Sequence, residues 1–320
     1  MKSSRPFFMT IALIAAVFVI FGTGKTAAAA MKQDTQTQTE ITVSWDAESF
    51  TSYHITEYFA QIGTDYSEAS AAPKVSIAPN ATSYTFSGLQ PGTSYYARIS
   101  YMYTTDYDQT PRENNLTSTY VYTLPGKVDG VNQTRWYKYI ESVDFSWNKQ
   151  SGVDGYEWNA YNSKGKKIKS EENSYGSGSF SIDNNVIYTV EVRAYKTIND
   201  KKYFGDWSAK AYLFTQPTVK AMKVSKGKMT VKWGKIAGAT GYTVYASTNN
   251  KKFVKICNVG KKKTSIKFKK IGKKKIKPKK PIYVYIASNK KVGENVYTTG
   301  KNYTYKYEKG NYSETYAESE

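Results

Sequence analysis

The stretch TVKWGKIAGATGYTVY at residues 230–245 constrains the fold most, because it recurs twice upstream in degraded form. Met229, Val231 and Trp233 alternate with Thr230 and Lys232, the period of a strand with one buried face. Gly238, Ala239 and Gly241 break the run and favour a turn, and Tyr242, Val244 and Ala246 resume the alternation. One upstream copy reads Ile41, Val43, Trp45 and then Tyr53, Ile55; the other reads Val143, Phe145, Trp147 and then Tyr156, Trp158. In each copy the tyrosine follows the tryptophan by eight or nine residues. Self-similarity at this spacing predicts tandem domains rather than one large fold.

The remaining residues favour strands. Thirty tyrosines suit pleated, half-wet surfaces, and no helical stripe stands out after residue 30. An all-β chain is expected. Residues 31–40 are polar and read as loose, and 309–320 read as a flexible tail.

The amino terminus has the pattern of a signal peptide over residues 1–30. Lys2 and Arg5 precede an apolar run at 7–21, and Ala27–Ala30 offer a cleavage site. As a helix, the apolar run would reach about 23 Å, against a hydrocarbon core of about 30 Å. A secreted or surface-associated mature chain, without a transmembrane segment, is expected. Cys257 is the only cysteine, so the domains carry no internal disulfide and depend on their cores.

Catalytic constellations are sparse. His54 is the only histidine, which excludes paired-histidine metal motifs, and no nucleophile elbow lies near it. No cofactor or metal is expected; Asp106 and Asp108, a lone acidic pair in a tyrosine-rich loop, are too few for a calcium site. The chain reads as a non-enzyme.

Within the first repeat, Leu89, Pro91, Gly92, Thr93, Tyr95, Ala97 and Ile99 resemble the E–F corner and F strand of a fibronectin type III domain. Residues 233–247 are similar to the fibronectin type III repeats of bacterial secreted proteins. The resemblance implies three tandem immunoglobulin-like β-sandwiches, at 31–125, 126–216 and 217–308. It implies that Trp45, Trp147 and Trp233 lie between sheets. It also makes Tyr95, Tyr188 and Tyr283 candidates for the tyrosine corner, a hydroxyl bonded back to nearby backbone.

Charge separates the third repeat from the others. The chain carries +20 overall, and residues 217–320 hold 26 lysines against 5 acidic residues. In a sandwich of the resembled family, three loops gather at the pole far from the second domain. These loops carry Lys226, Lys228, Lys251, Lys252, Lys273, Lys274, Lys275, Lys277, Lys279 and Lys280. Lys267 and Lys269 are expected to point outward from the adjoining strand. Lysines suit loose point-charge contact with phosphate rather than planar readout. The expected partner is an anionic cell-wall or surface polymer, or an extracellular protein or glycan, and not a sequence-specific nucleic-acid site. A solvated face that keeps the chain soluble is the alternative. As a whole, the chain is expected to bind or scaffold at the cell exterior, or to assist a secreted carbohydrate-active enzyme.

Overall fold

The computed structural model describes residues 30–46, 53–198, 200–277 and 279–316. Apart from residue 30, the expected signal segment lies outside them. Among the described residues, no helix is long and apolar enough to cross a membrane.

The first sandwich comprises β1 (Lys32–Gln36), β2 (Ile41–Ser44), β3 (Tyr53–Gly63), α1 (Tyr66–Ala71), β4 (Val75–Ile77), β5 (Ser83–Phe86), β6 (Ser94–Thr105) and β7 (Arg112–Tyr122). Its sheets run β1-β2-β5 and β4-β3-β6-β7. Ile41, Val43, Trp45, Ala97, Ile99 and Val121 fill the space between them. Two expectations are corrected here. The polar segment 31–40 is not loose, because β1 satisfies its backbone on the free edge of β2. The Gln33 side chain ties β1 to the other sheet, donating to the Tyr122 carbonyl at 2.8 Å and accepting from its N–H at 2.9 Å. The short helix was not expected either. Six residues cannot display a stripe, but the capping is local: Asp65 accepts from the Glu68 N–H at 2.9 Å. Glu68 in turn accepts from the Thr64 N–H at 3.0 Å. The helix packs so closely on Gly63 that a Cβ there would collide with the Ala69 nitrogen.

The second sandwich comprises β8 (Asn132–Tyr137), β9 (Ser142–Ser146), β10 (Gly155–Tyr161), β11 (Lys167–Asn173), β12 (Ser177–Ser181), β13 (Tyr188–Ile198), β14 (Lys201–Phe204) and β15 (Ala211–Leu213). One sheet runs β12-β9-β8; the other runs β11-β10-β13-β14, with β15 also on β13. Phe145, Trp136, Trp158, Val190 and Val192 lie in its core. Arg193 lies between the rings of Phe204 and Trp207, 3.8 and 4.5 Å from their centroids, and bonds Glu157.

The third sandwich comprises β16 (Val219–Ser225), β17 (Lys228–Trp233), β18 (Gly241–Ser247), β19 (Val254–Gly260), β20 (Ser265–Phe268), β21 (Lys270–Ile271), β22 (Lys274–Lys275), β23 (Ile282–Val292), β24 (Asn295–Thr298), β25 (Tyr303–Glu308) and β26 (Asn311–Tyr316). One sheet runs β16-β17-β20. The other runs β19-β18-β23-β25-β26, with β24 also on β23. The expected flexible tail is therefore corrected over 311–316. That segment is a strand because it covers the free edge of β25 and is anchored by its side chains: Tyr312 Oη donates to the Lys220 carbonyl at 2.9 Å, and Glu314 accepts from Lys138.

The repeated tryptophans Trp45, Trp147 and Trp233 are all buried, and among the described residues none of their Nε1 atoms has a hydrogen-bond partner. Each packs edge-on against a tyrosine, at 5.9 Å for Tyr58, 5.4 Å for Tyr156 and 5.8 Å for Tyr242. The first-repeat partner is thus Tyr58, not the expected Tyr53. β3 begins five residues before its core contact, whereas β10 and β18 begin one residue before theirs.

The tyrosine corner forms in two sandwiches. Tyr95 Oη accepts from the Gln90 N–H, and Tyr188 Oη from the Asp183 N–H, each at 2.8 Å. In the third sandwich the inward position belongs to Ile282, which is buried, while Tyr283 alternates outward. Five residues before Tyr283 stands Pro278, which has no N–H to donate.

The sandwiches meet unequally. Between the first and second, Gln38 Nε2 donates to Asp206 at 2.9 Å, and Gly205 lies against the Pro125 carbonyl. Between the second and third, the Gln216 side chain donates to the Tyr303 carbonyl at 2.6 Å and accepts from the Tyr303 N–H at 2.9 Å. Ser288 Oγ donates to the Thr215 carbonyl at 2.9 Å, and the Ile187 N–H to the Ala237 carbonyl at 2.9 Å. Tyr303 belongs to the second core although it starts β25, and Ile187 belongs to the third.

Candidate functional site

The strand registers decide where the lysines of the third sandwich stand. Ser225 pairs with Lys228, so Lys226 and Gly227 form the β16–β17 turn, both with positive φ (48° and 68°). Met229 pairs with Phe268, which sets that turn beside the exit of β20 into Lys269 and Lys270. Lys270 pairs with Lys275 and Ile271 with Lys274, so 270–275 is a small hairpin with Gly272 and Lys273 at its tip. The Ile276 N–H donates to the Lys269 carbonyl at 3.0 Å, folding the next residues back onto the same end. Ser247 pairs with Tyr283, so the β18–β19 loop stands beside the entry to β23. In that loop Asn249 Oδ1 accepts from the N–H groups of Lys251 and Lys252, both at 3.2 Å. Lys274, Lys275, Lys277 and Lys280 share one cavity with Thr248 of that loop.

All ten singled-out lysines stand at this end: Lys226, Lys228, Lys251, Lys252, Lys273, Lys274, Lys275, Lys277, Lys279 and Lys280. All are exposed. The contact with the second sandwich lies at the opposite end, through Ala237, Thr215 and Gln216. Among the described residues, none of the ten is in an ion pair. The nearby acid Glu308 is held by Lys306 at 2.8 Å, which keeps its carboxyl below the usual carboxylate range, and Glu314 is taken by Lys138.

Two lysines at this pole escaped the sequence reading. Lys270 belongs to the small hairpin and is exposed. Lys309 turns between β25 and β26, which the Ile282–Tyr307 pairing brings to the same pole. It could have been found only by recognising the tail as a strand. Basicity is also not confined there. Lys261, Lys262 and Lys263 lie at the far end of β19, where the Lys261 N–H donates to the Thr240 carbonyl at 3.2 Å, on the side of the second sandwich.

Other candidate chemistry is already engaged. His54 Nε2 meets Asp106 at 2.6 Å on an exposed surface, and Asp108 accepts from Arg112 at 2.7 Å. Asp108 also accepts from the Thr110 N–H at 2.9 Å, the main reason its carboxyl titrates low. Among the described residues, no three His, Cys, Asp or Glu side chains stand together as a metal site would need. Cys257 is half-buried in β19, and burial pushes its thiol pKa up, away from the thiolate a nucleophile requires.

Residues 28–119 match the fibronectin type III domain family. Among solved structures, the FN1–FN3 domains of chicken CNTN1 are similar at 15% identity, covering 91% of this chain and 98% of that one, with a TM-score of 0.32. A two-domain fibronectin type III segment of chicken tenascin is similar at 16% identity, covering 58% of this chain and 98% of that one, with a TM-score of 0.33. No curated protein matches the chain.

Proposed function

We propose that this chain, whose residues 28–119 belong to the fibronectin type III domain family, is a secreted, non-catalytic binding and spacing protein. Three sandwich modules, at 31–125, 126–216 and 217–308 with β26 added to the third, form the spacer. The third attaches to an anionic surface polymer through its lysine pole. The observation that carries this reading is the gathering of ten exposed lysines, none in an ion pair among the described residues, at the end away from the second sandwich. Like charges so placed repel one another; a polyanion neutralises them, and the release of its counterions favours the contact.

Salt tests the reading. Retention of the full chain on an immobilised polyphosphate should fall steeply and linearly in log affinity against log salt. Replacing Lys273, Lys274, Lys275, Lys277, Lys279 and Lys280 by Gln should flatten that slope. Equal retention by the substituted chain would remove the pole from the account.

A second reading, an accessory glycan-binding protein, draws on a groove of about 850 Å³ between the second and third sandwiches. Tyr212 and Tyr297 lie on it with ring centroids 4.9 Å apart. Stacking on such rings would resist salt, so retention on a neutral glycan at high salt would favour it.

A further inference from the structure

The lysine pole has an apolar recess beneath its charges. The β18–β19 loop, the 270–275 hairpin and the entry to β23 enclose a cavity of about 630 Å³. Ile271, Ile276, Ile282 and Pro281 form its wall, and the three isoleucines belong to the third hydrophobic core. Lys274, Lys275, Lys277 and Lys280 form its rim, and among the described residues no acidic side chain lines it. A wholly polar chain would use the rim and gain nothing from the wall. The occupant that matches both is an anionic head joined to a hydrocarbon chain. The volume lies within the range of about 300–1,000 Å³ common to small-molecule sites. The hairpin on one side is held by only two residue pairs and turns at Gly272 with φ 57°, so that wall can yield at the cost of few backbone bonds.

We propose that this recess binds a single-chain alkyl phosphate, with the phosphate among the four ammonium groups and the alkyl chain against the isoleucines. The proposal rests on the reading of the pole as an anion site and adds an apolar half to it. Lysine ammonium groups meet phosphate as point charges, which suits a head group that must sit over a chain rather than in a planar fork. Each methylene taken from water onto the isoleucine wall tightens binding about three- to fourfold.

The test is a calorimetric titration of the full chain with hexyl, octyl and decyl phosphate, each below its micelle concentration. Inorganic phosphate and polyphosphate are the references. Affinity should rise about three- to fourfold per methylene, and decyl phosphate should bind at least about a hundredfold more tightly than inorganic phosphate. Thr248→Trp fills the recess from an exposed position. It should abolish the chain-length dependence and leave polyphosphate binding unchanged, with circular dichroism reporting an intact fold. Changing Lys274, Lys275, Lys277 and Lys280 to Gln should weaken both kinds of ligand. The absence of a chain-length dependence in the unaltered chain overturns the recess, and leaves the polymer reading standing if polyphosphate still binds. A chain-length dependence that survives Thr248→Trp places the alkyl chain elsewhere and also overturns it. Tight decyl phosphate binding without polyphosphate binding supports the recess and defeats the polymer.

Discussion

Lys138 of the second sandwich and Glu314 of the third meet with Nζ 2.6 Å from each carboxylate oxygen, their side chains 14% and 18% exposed. The ammonium also faces the rings of Tyr139, Tyr303 and Tyr305, at 5.6, 5.5 and 6.0 Å. Removing one partner strands the other in a mostly dry site. Glu314→Gln is expected to cost about 1–3 kcal/mol, between the values for surface and fully buried pairs. Lys138→Met should cost less than Glu314→Gln, because its stem still covers the rings. Urea denaturation of the two variants checks the order.

Tyr188→Phe should cost about 1–3 kcal/mol, because the Asp183 N–H is left without its acceptor. Tyr95→Phe should behave alike through Gln90. Tyr283→Phe should be near neutral, since Tyr283 faces outward and forms no such corner. Chemical denaturation of the three variants separates them.

Gly63→Ala is expected to destabilise by about 1–3 kcal/mol, the range for overpacking, because the added Cβ meets the backbone of the short helix. The amide exchange of Ala69 and Ala72, whose N–H groups donate within that helix, should rise with it.

Burial, with the stacked Tyr245 ring beside it, pushes the Tyr285 phenol from 10.0 up to about 12; burial and then Glu191 do the same to Tyr161. Both phenols are neutral in the folded state at a pH where the unfolded chain has already lost those protons. The unfolded state binds fewer protons between these values, so stability falls as pH rises. It should be complete below about pH 10, decline from there, and lose this contribution by about pH 12. Tyr285→Phe should make the decline in melting temperature shallower.

Replacing Lys274, Lys275, Lys277 and Lys280 by Gln should raise the melting temperature at low salt, because it removes mutual repulsion among exposed charges. The gain should vanish near 1 M salt, where the Debye length is about 3 Å. A calorimetric series in sodium chloride reads it out.

The strand alternation around Trp45, Trp147 and Trp233 was legible because inward positions along a strand must be apolar, and the repeats make that pattern visible three times. The start of β3 was not legible. Periodicity says nothing about how far a strand extends ahead of its core contact, so Tyr53, the first residue of β3, stands in the sequence pattern where Tyr58 makes the contact. Side-chain direction at the start of β23 failed for a related reason: Ile282 and Tyr283 both suit a strand, and only pairing with β25 settles which faces in. Polar β1 and β26 carry no apolar alternation, since their stability comes from covering an edge that other segments provide. At the pole, composition located the charge in the third repeat, and the loop order of the resembled family placed the lysines at one end. The apolar recess among them could not be read, because Ile271, Ile276 and Ile282 come together only through the hairpin and the strand that follows it.

Gln216 and Tyr303 have a consequence for how the molecule comes apart. The ring of Tyr303 completes the second core, while its strand belongs to the third sheet. Neither sandwich can melt without opening the other, so heating should give two heat-absorption peaks for three repeats. The larger peak belongs to the joined pair, and the smaller to the first sandwich alone. The repeating unit of the sequence and the cooperative unit of the folded chain differ in size.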